Sequence, residues 1–163
     1  MLNAESIHYL QLNQKYRSGV HWFYWIAALT LVTSLMSLAG GGWRFFLSLG
    51  VTQFIDAIAV ELSASLGNAT KVIAIVLDIF AVAVFAAVGF LAGKKFLWAY
   101  IVGLVLFLLD GVVSLIFGDW LGVVIHAVVL FLMFRAFKSG LELSQLERSQ
   151  VTQSQEQSAT API

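Results

Sequence analysis

The sequence predicts an all-α, polytopic integral membrane protein: a four-transmembrane-helix bundle with one interfacial or re-entrant helix between the first and second spans. Three observations predict it. Hydrophobic residues make up 60% of the 163 residues and charged ones 11%, against about 45–50% and about 25% in soluble domains. Mean hydropathy is +0.91. A globule this small has too much surface for its volume to hide that much apolar area against itself, whereas a bilayer supplies the apolar partner. The third observation is the skewed placement of Lys and Arg around the apolar runs.

The first run, 20–38, follows a polar N-terminal segment (1–19) that carries Lys15 and Arg17. It opens with His21-Trp22-Phe23-Tyr24-Trp25, and clustered aromatics suit the headgroup layer. A cleaved signal peptide is the competing reading, since Ser37-Leu38-Ala39 resembles a small-x-small cleavage site, but the run is long for a signal. Gly40-Gly41-Gly42 breaks the pattern. Residues 45–66 read as a helix holding Gln53, Asp56 and Glu61. Each central acid costs roughly 2.5–3.5 kcal/mol on insertion scales, so this helix is placed in the interface or as a re-entrant element, with a fifth span as the alternative.

Three further spans follow at 72–92, 96–117 and 120–137. Each reaches about the ~30 Å of a hydrocarbon core at 1.5 Å per residue, the last only just. Gly93-Lys94-Lys95 and Gly118-Asp119 join them. Connections that short make the three helices antiparallel neighbours. Asp119 reads as a turn residue or helix N-cap. The tail, 140–163, is polar; Leu141, Leu143 and Leu146 extend the last helix by two turns, and the Gln/Ser/Thr-rich run from Ser149 is expected to be disordered.

With four spans, Lys15, Arg17, Lys94, Lys95, Arg135, Lys138 and Arg148 share one side and Arg44 and Lys71 the other, seven against two. The positive-inside rule then puts both termini in the cytoplasm. Five spans would divide the charges six to three, with an external N-terminus.

That topology gives meaning to the ionisable residues inside the spans. Asp78 lies seven residues past Lys71, Asp110 eight before Gly118 and His126 six beyond Trp120. All three fall roughly 9–12 Å below the outer boundary at 1.5 Å per residue. Each continues a face: Ala74, Asp78, Ala81, Phe85 and Gly89; Gly103, Phe107, Asp110 and Ser114; Gly122, His126, Leu130 and Met133. Small residues beside a polar one mark the side where helices approach. Thr33, Ser34 and Ser37 can join from the first span, and Asp56 from above. Intramembrane ionisable groups default to a functional reading, here a cation or proton site. The plainer reading is an interhelical hydrogen-bond network that fixes packing.

Other signals carry less. Gly89-x-x-x-Gly93 is a close-packing motif and a candidate dimer face. His21 and His126 sit near opposite membrane faces, which argues against bis-histidine haem. There are no cysteines, so disulfides, Cys-ligated zinc and iron–sulfur clusters are excluded. Net charge is zero, giving no field to attract nucleic acid. No phosphate loop, zinc-protease motif or nucleophile elbow occurs, and no cofactor or metal is expected.

Trp22-Phe23-Tyr24-Trp25-Ile26-Ala27-Ala28-Leu29, Gly50-Val51-Thr52-Gln53-Phe54-Ile55-Asp56-Ala57 and Trp98-Ala99-Tyr100-Ile101-Val102-Gly103 together resemble stretches of small multi-span bacterial membrane proteins that have no function attached. The resemblance covers 20–139. It implies a bacterial inner-membrane setting and transfers no activity and no site residues.

Two roles are expected from this reading. The first is a non-enzymatic accessory or scaffold-like bundle, partnered by the bilayer and by a second copy or a larger membrane complex. The second is a small transporter or channel-like protein with Asp78, Asp110, His126, Asp56 and Ser114 around an outward-open site. An enzyme would further need Asp56 and Glu61 to converge there.

Overall fold

The structure, a computed structural model, describes residues 4–38 and 69–160. Those residues form four helices: α1 (Ala4–Leu38), α2 (Ala69–Gly93), α3 (Leu97–Ile116) and α4 (Trp120–Thr160). Each is long and apolar enough to cross a membrane, and no strand occurs among the described residues. The expected 45–66 helix, with Asp56 and Glu61, lies outside the described residues.

The main pairings are α1 with α2 and α4, and α3 with α2 and α4, so the helices close a four-membered ring. Two tight turns enforce antiparallel neighbours. At the first, the Lys95 N–H bonds the Ala92 carbonyl at 2.8 Å and Lys95 itself takes a left-handed φ of 67°. At the second, Gly118 has φ 72°, where a residue without Cβ is unstrained. Asp119 then caps α4, accepting the Gly122 N–H on Oδ1 at 2.9 Å.

The faces set by three- and four-residue spacing are the ones turned inward. Gly103, Phe107, Asp110 and Ser114 of α3 are all buried, as are Gly122, His126 and Met133 of α4. Glycine lets the helices close up. A Cβ on Gly103 would stand 2.3 Å from the Phe23 ring, and one on Gly19 would stand 2.3 Å from Ala136 Cβ. Gly89 and Gly93, read as a candidate dimer face, pack within the chain: added Cβ atoms would meet Phe23 and Tyr24 at 3.2 Å and Val20 at 3.7 Å.

Both end helices extend past their spans. α1 and α4 run far beyond the apolar cores of their spans, to 35 and 41 residues, or roughly 52 and 62 Å at 1.5 Å per residue. The tail, expected to lose its structure from Ser149, continues as helix to Thr160. Leu12, Tyr16 and Leu143 are buried along these extensions, and the Tyr16 ring lies where a Gly140 side chain would otherwise stand. Further along α4, hydroxyls bond back to the preceding turn, as Ser154 does to the Gln150 carbonyl at 2.8 Å and Ser158 to Ser154 at 2.9 Å.

Three elements are tied at this end of the bundle. The Tyr9 hydroxyl of α1 donates to Glu147 Oε1 of α4 at 2.8 Å, and Lys95 from the α2–α3 turn bonds the same carboxylate. Deeper in, Tyr16 donates to the Ala92 carbonyl at 2.7 Å and Tyr100 to the Met133 carbonyl at 3.0 Å. Phe23 packs edge-on to Tyr100 at 5.1 Å.

Candidate functional site

Toward the opposite end, the ring is held by polar contacts. Asp110 is the fourteenth residue of α3, and His126 the seventh of α4. One follows the Lys95 turn and the other follows the Gly118 turn, so antiparallel packing brings them level. His126 Nε2 and Asp110 Oδ2 stand 2.7 Å apart. Asp110 is 1% exposed and His126 6%. Such burial demands partners for every polar atom, because an unsatisfied group in an apolar interior costs several kcal/mol, on the order of 2–7.

The imidazole is fixed on all sides. Its Nδ1 donates to the Gly122 carbonyl one turn back, at 2.7 Å. Phe107 stacks on it with ring centroids 4.6 Å apart and planes 22° apart. Gly111 leaves the room it occupies, since a Cβ there would meet His126 Cβ at 3.2 Å. The spacing explains the arrangement: Phe107, Asp110 and Gly111 share one face of α3, and Gly122 and His126 share one face of α4.

Asp78 belongs to the α1–α2 pair. The Ser34 hydroxyl donates to its Oδ2 at 2.7 Å. Measured along the helices, Asp78 is 15 residues from Gly93 and Asp110 is 13 from Leu97, or roughly 20–23 Å from the Lys95 turn at 1.5 Å per residue. Ser34–Asp78 and Asp110–His126 therefore bind opposite sides of the ring in the same half of the bundle. Asp78 meets Ser34 and Asp110 meets His126, both contacts lying in that same half.

Ser114, fully buried, turns its hydroxyl to the Asp110 backbone carbonyl at 3.2 Å rather than to the carboxylate. Thr30, also fully buried, bonds the Ile26 carbonyl at 2.8 Å in the same way. Asp56 lies outside the described residues. Among the described residues no group of three or more His, Asp or Glu could hold a metal ion. Sequence reasoning had no signal for Gly111, whose role depends on the partner helix. Ser34 was visible through its place in the outer half of the first run.

No protein-family model matches the chain, and no curated protein or solved structure matches it. The resemblance to small bacterial membrane proteins therefore rests on its three stretches alone.

Proposed function

We propose that this chain is an integral membrane protein of the bacterial inner membrane, with both termini cytoplasmic. It works as a non-enzymatic accessory or scaffold-like helical bundle, stable in the bilayer by itself and presenting its outer surface to a membrane partner or a second copy. The apolar outer surface supports the membrane setting. Trp25, Phe80, Trp98, Ile116, Trp120 and Phe131 are each 60% or more exposed, and such a surface needs an apolar solvent. The charge count of seven against two supports the orientation.

One observation carries the scaffold reading. Both nitrogens of the buried imidazole are used inside the protein, one on Gly122 and one on Asp110. A ring with both nitrogens committed and a stacked aromatic on its face is built as a strut between α3 and α4. Interhelical bonds of this kind are worth about 0.6–2 kcal/mol each, enough to fix register.

The test is a thermal-shift series on the purified protein in mild detergent, with sodium, potassium, magnesium and calcium added singly. A strut leaves the midpoint unmoved by every cation, and Asp78→Asn and Asp110→Asn remain folded. A saturable stabilisation by one cation that vanishes in Asp78→Asn would replace the scaffold by the transporter or channel-like reading. Crosslinking in the membrane then reports the self-association or partner that a scaffold requires.

A further inference from the structure

We propose that Asp110 and His126 form a proton-binding site: the pair holds one proton between Nε2 and Oδ2 and is electrically neutral as a unit at neutral and mildly alkaline pH. The inference goes beyond the scaffold reading and holds whether the pair is a strut or part of a transport path.

It follows from counting donors. The Gly122 carbonyl can only accept, so the Nδ1 atom 2.7 Å away carries a hydrogen. If the ring is neutral, its Nε2 is then a bare lone pair. An ionised Asp110 is acceptor-only, and two lone pairs facing each other at 2.7 Å repel. One proton in that gap turns the contact into a hydrogen bond. Whether it is drawn as imidazolium with carboxylate or as imidazole with carboxylic acid, the pair's charge sums to zero. A neutral pair is also what low-dielectric surroundings favour, since a lone buried charge is costly to desolvate.

The neighbours agree. Among the described residues, the charged groups near the imidazole are Asp110 from α3, at 2.7 Å, and Asp119 at the start of its own helix, both of them acids. Phe107 and Gly111 supply the rest of the α3 surface against it. Asp78 of α2 engages Ser34 of α1.

The test uses the full chain in lipid vesicles with His8→Gln and His21→Gln. Both replaced residues are exposed, and their removal leaves His126 as the one histidine of the three. With nitrogen-15 histidine, solid-state NMR is recorded at pH 8, where an ordinary histidine is neutral by a roughly 30-fold excess. The expected spectrum shows both ring nitrogens protonated. A bare nitrogen accompanied by an infrared carboxylic-acid band that disappears in Asp110→Asn equally supports the site. A bare nitrogen without that band overturns it. Asp110→Asn supplies an independent arm: its amide can donate to Nε2, so the ring becomes neutral at pH 8. A ring that stays doubly protonated in that variant overturns the assignment to Asp110.

Discussion

At the scale of single residues, a buried pair is held more by what its loss would expose than by what the bond itself contributes. Removing one member leaves the other in a dry site, which costs about 3–5 kcal/mol for an ionic pair. His126→Ala is therefore expected to destabilise the bundle by that amount. Asp110→Asn keeps the shape and a hydrogen-bonding group, so its cost is about 1 kcal/mol. Ser34→Ala removes one interhelical hydroxyl from Asp78 and is expected to cost about 0.6–2 kcal/mol. Denaturant unfolding of the three variants in one detergent checks the ranking. A His126→Ala effect no larger than that of Asp110→Asn contradicts it.

At the scale of helices, contact distance decides which glycines matter. A methyl on Gly103 would sit 2.3 Å from the Phe23 ring and 2.6 Å from Val88 Cγ1. Gly103→Ala is expected to cost about 1–3 kcal/mol, the usual range for overpacking. Gly93→Ala meets only Val20, at 3.7 Å, and is expected to stay within about 0.5 kcal/mol of wild type. Because Gly89 faces α1 of its own chain, Gly89→Ala lowers the melting midpoint and leaves the oligomeric state unchanged; both are read by size-exclusion chromatography and thermal melts. The faces of α3 and α4 were legible because Gly103, Phe107, Asp110 and Ser114 recur at helical spacing within an apolar run. The extensions were not. Leu12, Tyr16, Gly140 and Leu143 lie in stretches whose own composition is polar, and the partners of Tyr16 and Gly140, such as each other, Tyr100 and Leu97, are far away along the chain, a separation that leaves no periodic trace. For the same reason the meeting of Tyr9, Lys95 and Glu147 was out of reach, while Asp119 as a cap was readable from a tight turn.

At the scale of the whole molecule, the tie between Tyr9, Lys95 and Glu147 joins α1, α4 and the α2–α3 turn outside the spans, and it titrates. The hydrogen bond from Lys95 holds the Glu147 carboxyl below its ordinary 4.5, against a smaller opposing effect of burial. The bond to Glu147 likewise holds Lys95 above its ordinary 10.5. A lowered acid contributes stability that is complete above about 4.5 and fades as pH falls through the lower folded value. A raised lysine contributes stability that is complete below about 10.5 and fades as pH rises beyond it. Both side chains are more than a third exposed, so solvent holds the pair to about 1 kcal/mol or less. Melting curves of wild type and Glu147→Gln are therefore expected to differ by a small constant from pH 6 to pH 9 and to converge in acid. A gap that widens in acid contradicts the sign.

The arrangement of the four helices across the membrane is the claim on which the rest stands, and the chain is suited to a direct test because it contains no cysteine. Lys94→Cys and Phe117→Cys place single thiols at the two tight turns, and intact cells are treated with a membrane-impermeant thiol reagent. The account predicts that Phe117→Cys reacts at once and Lys94→Cys only after the cells are permeabilised. Reaction of both from outside, or of Lys94→Cys alone, contradicts it.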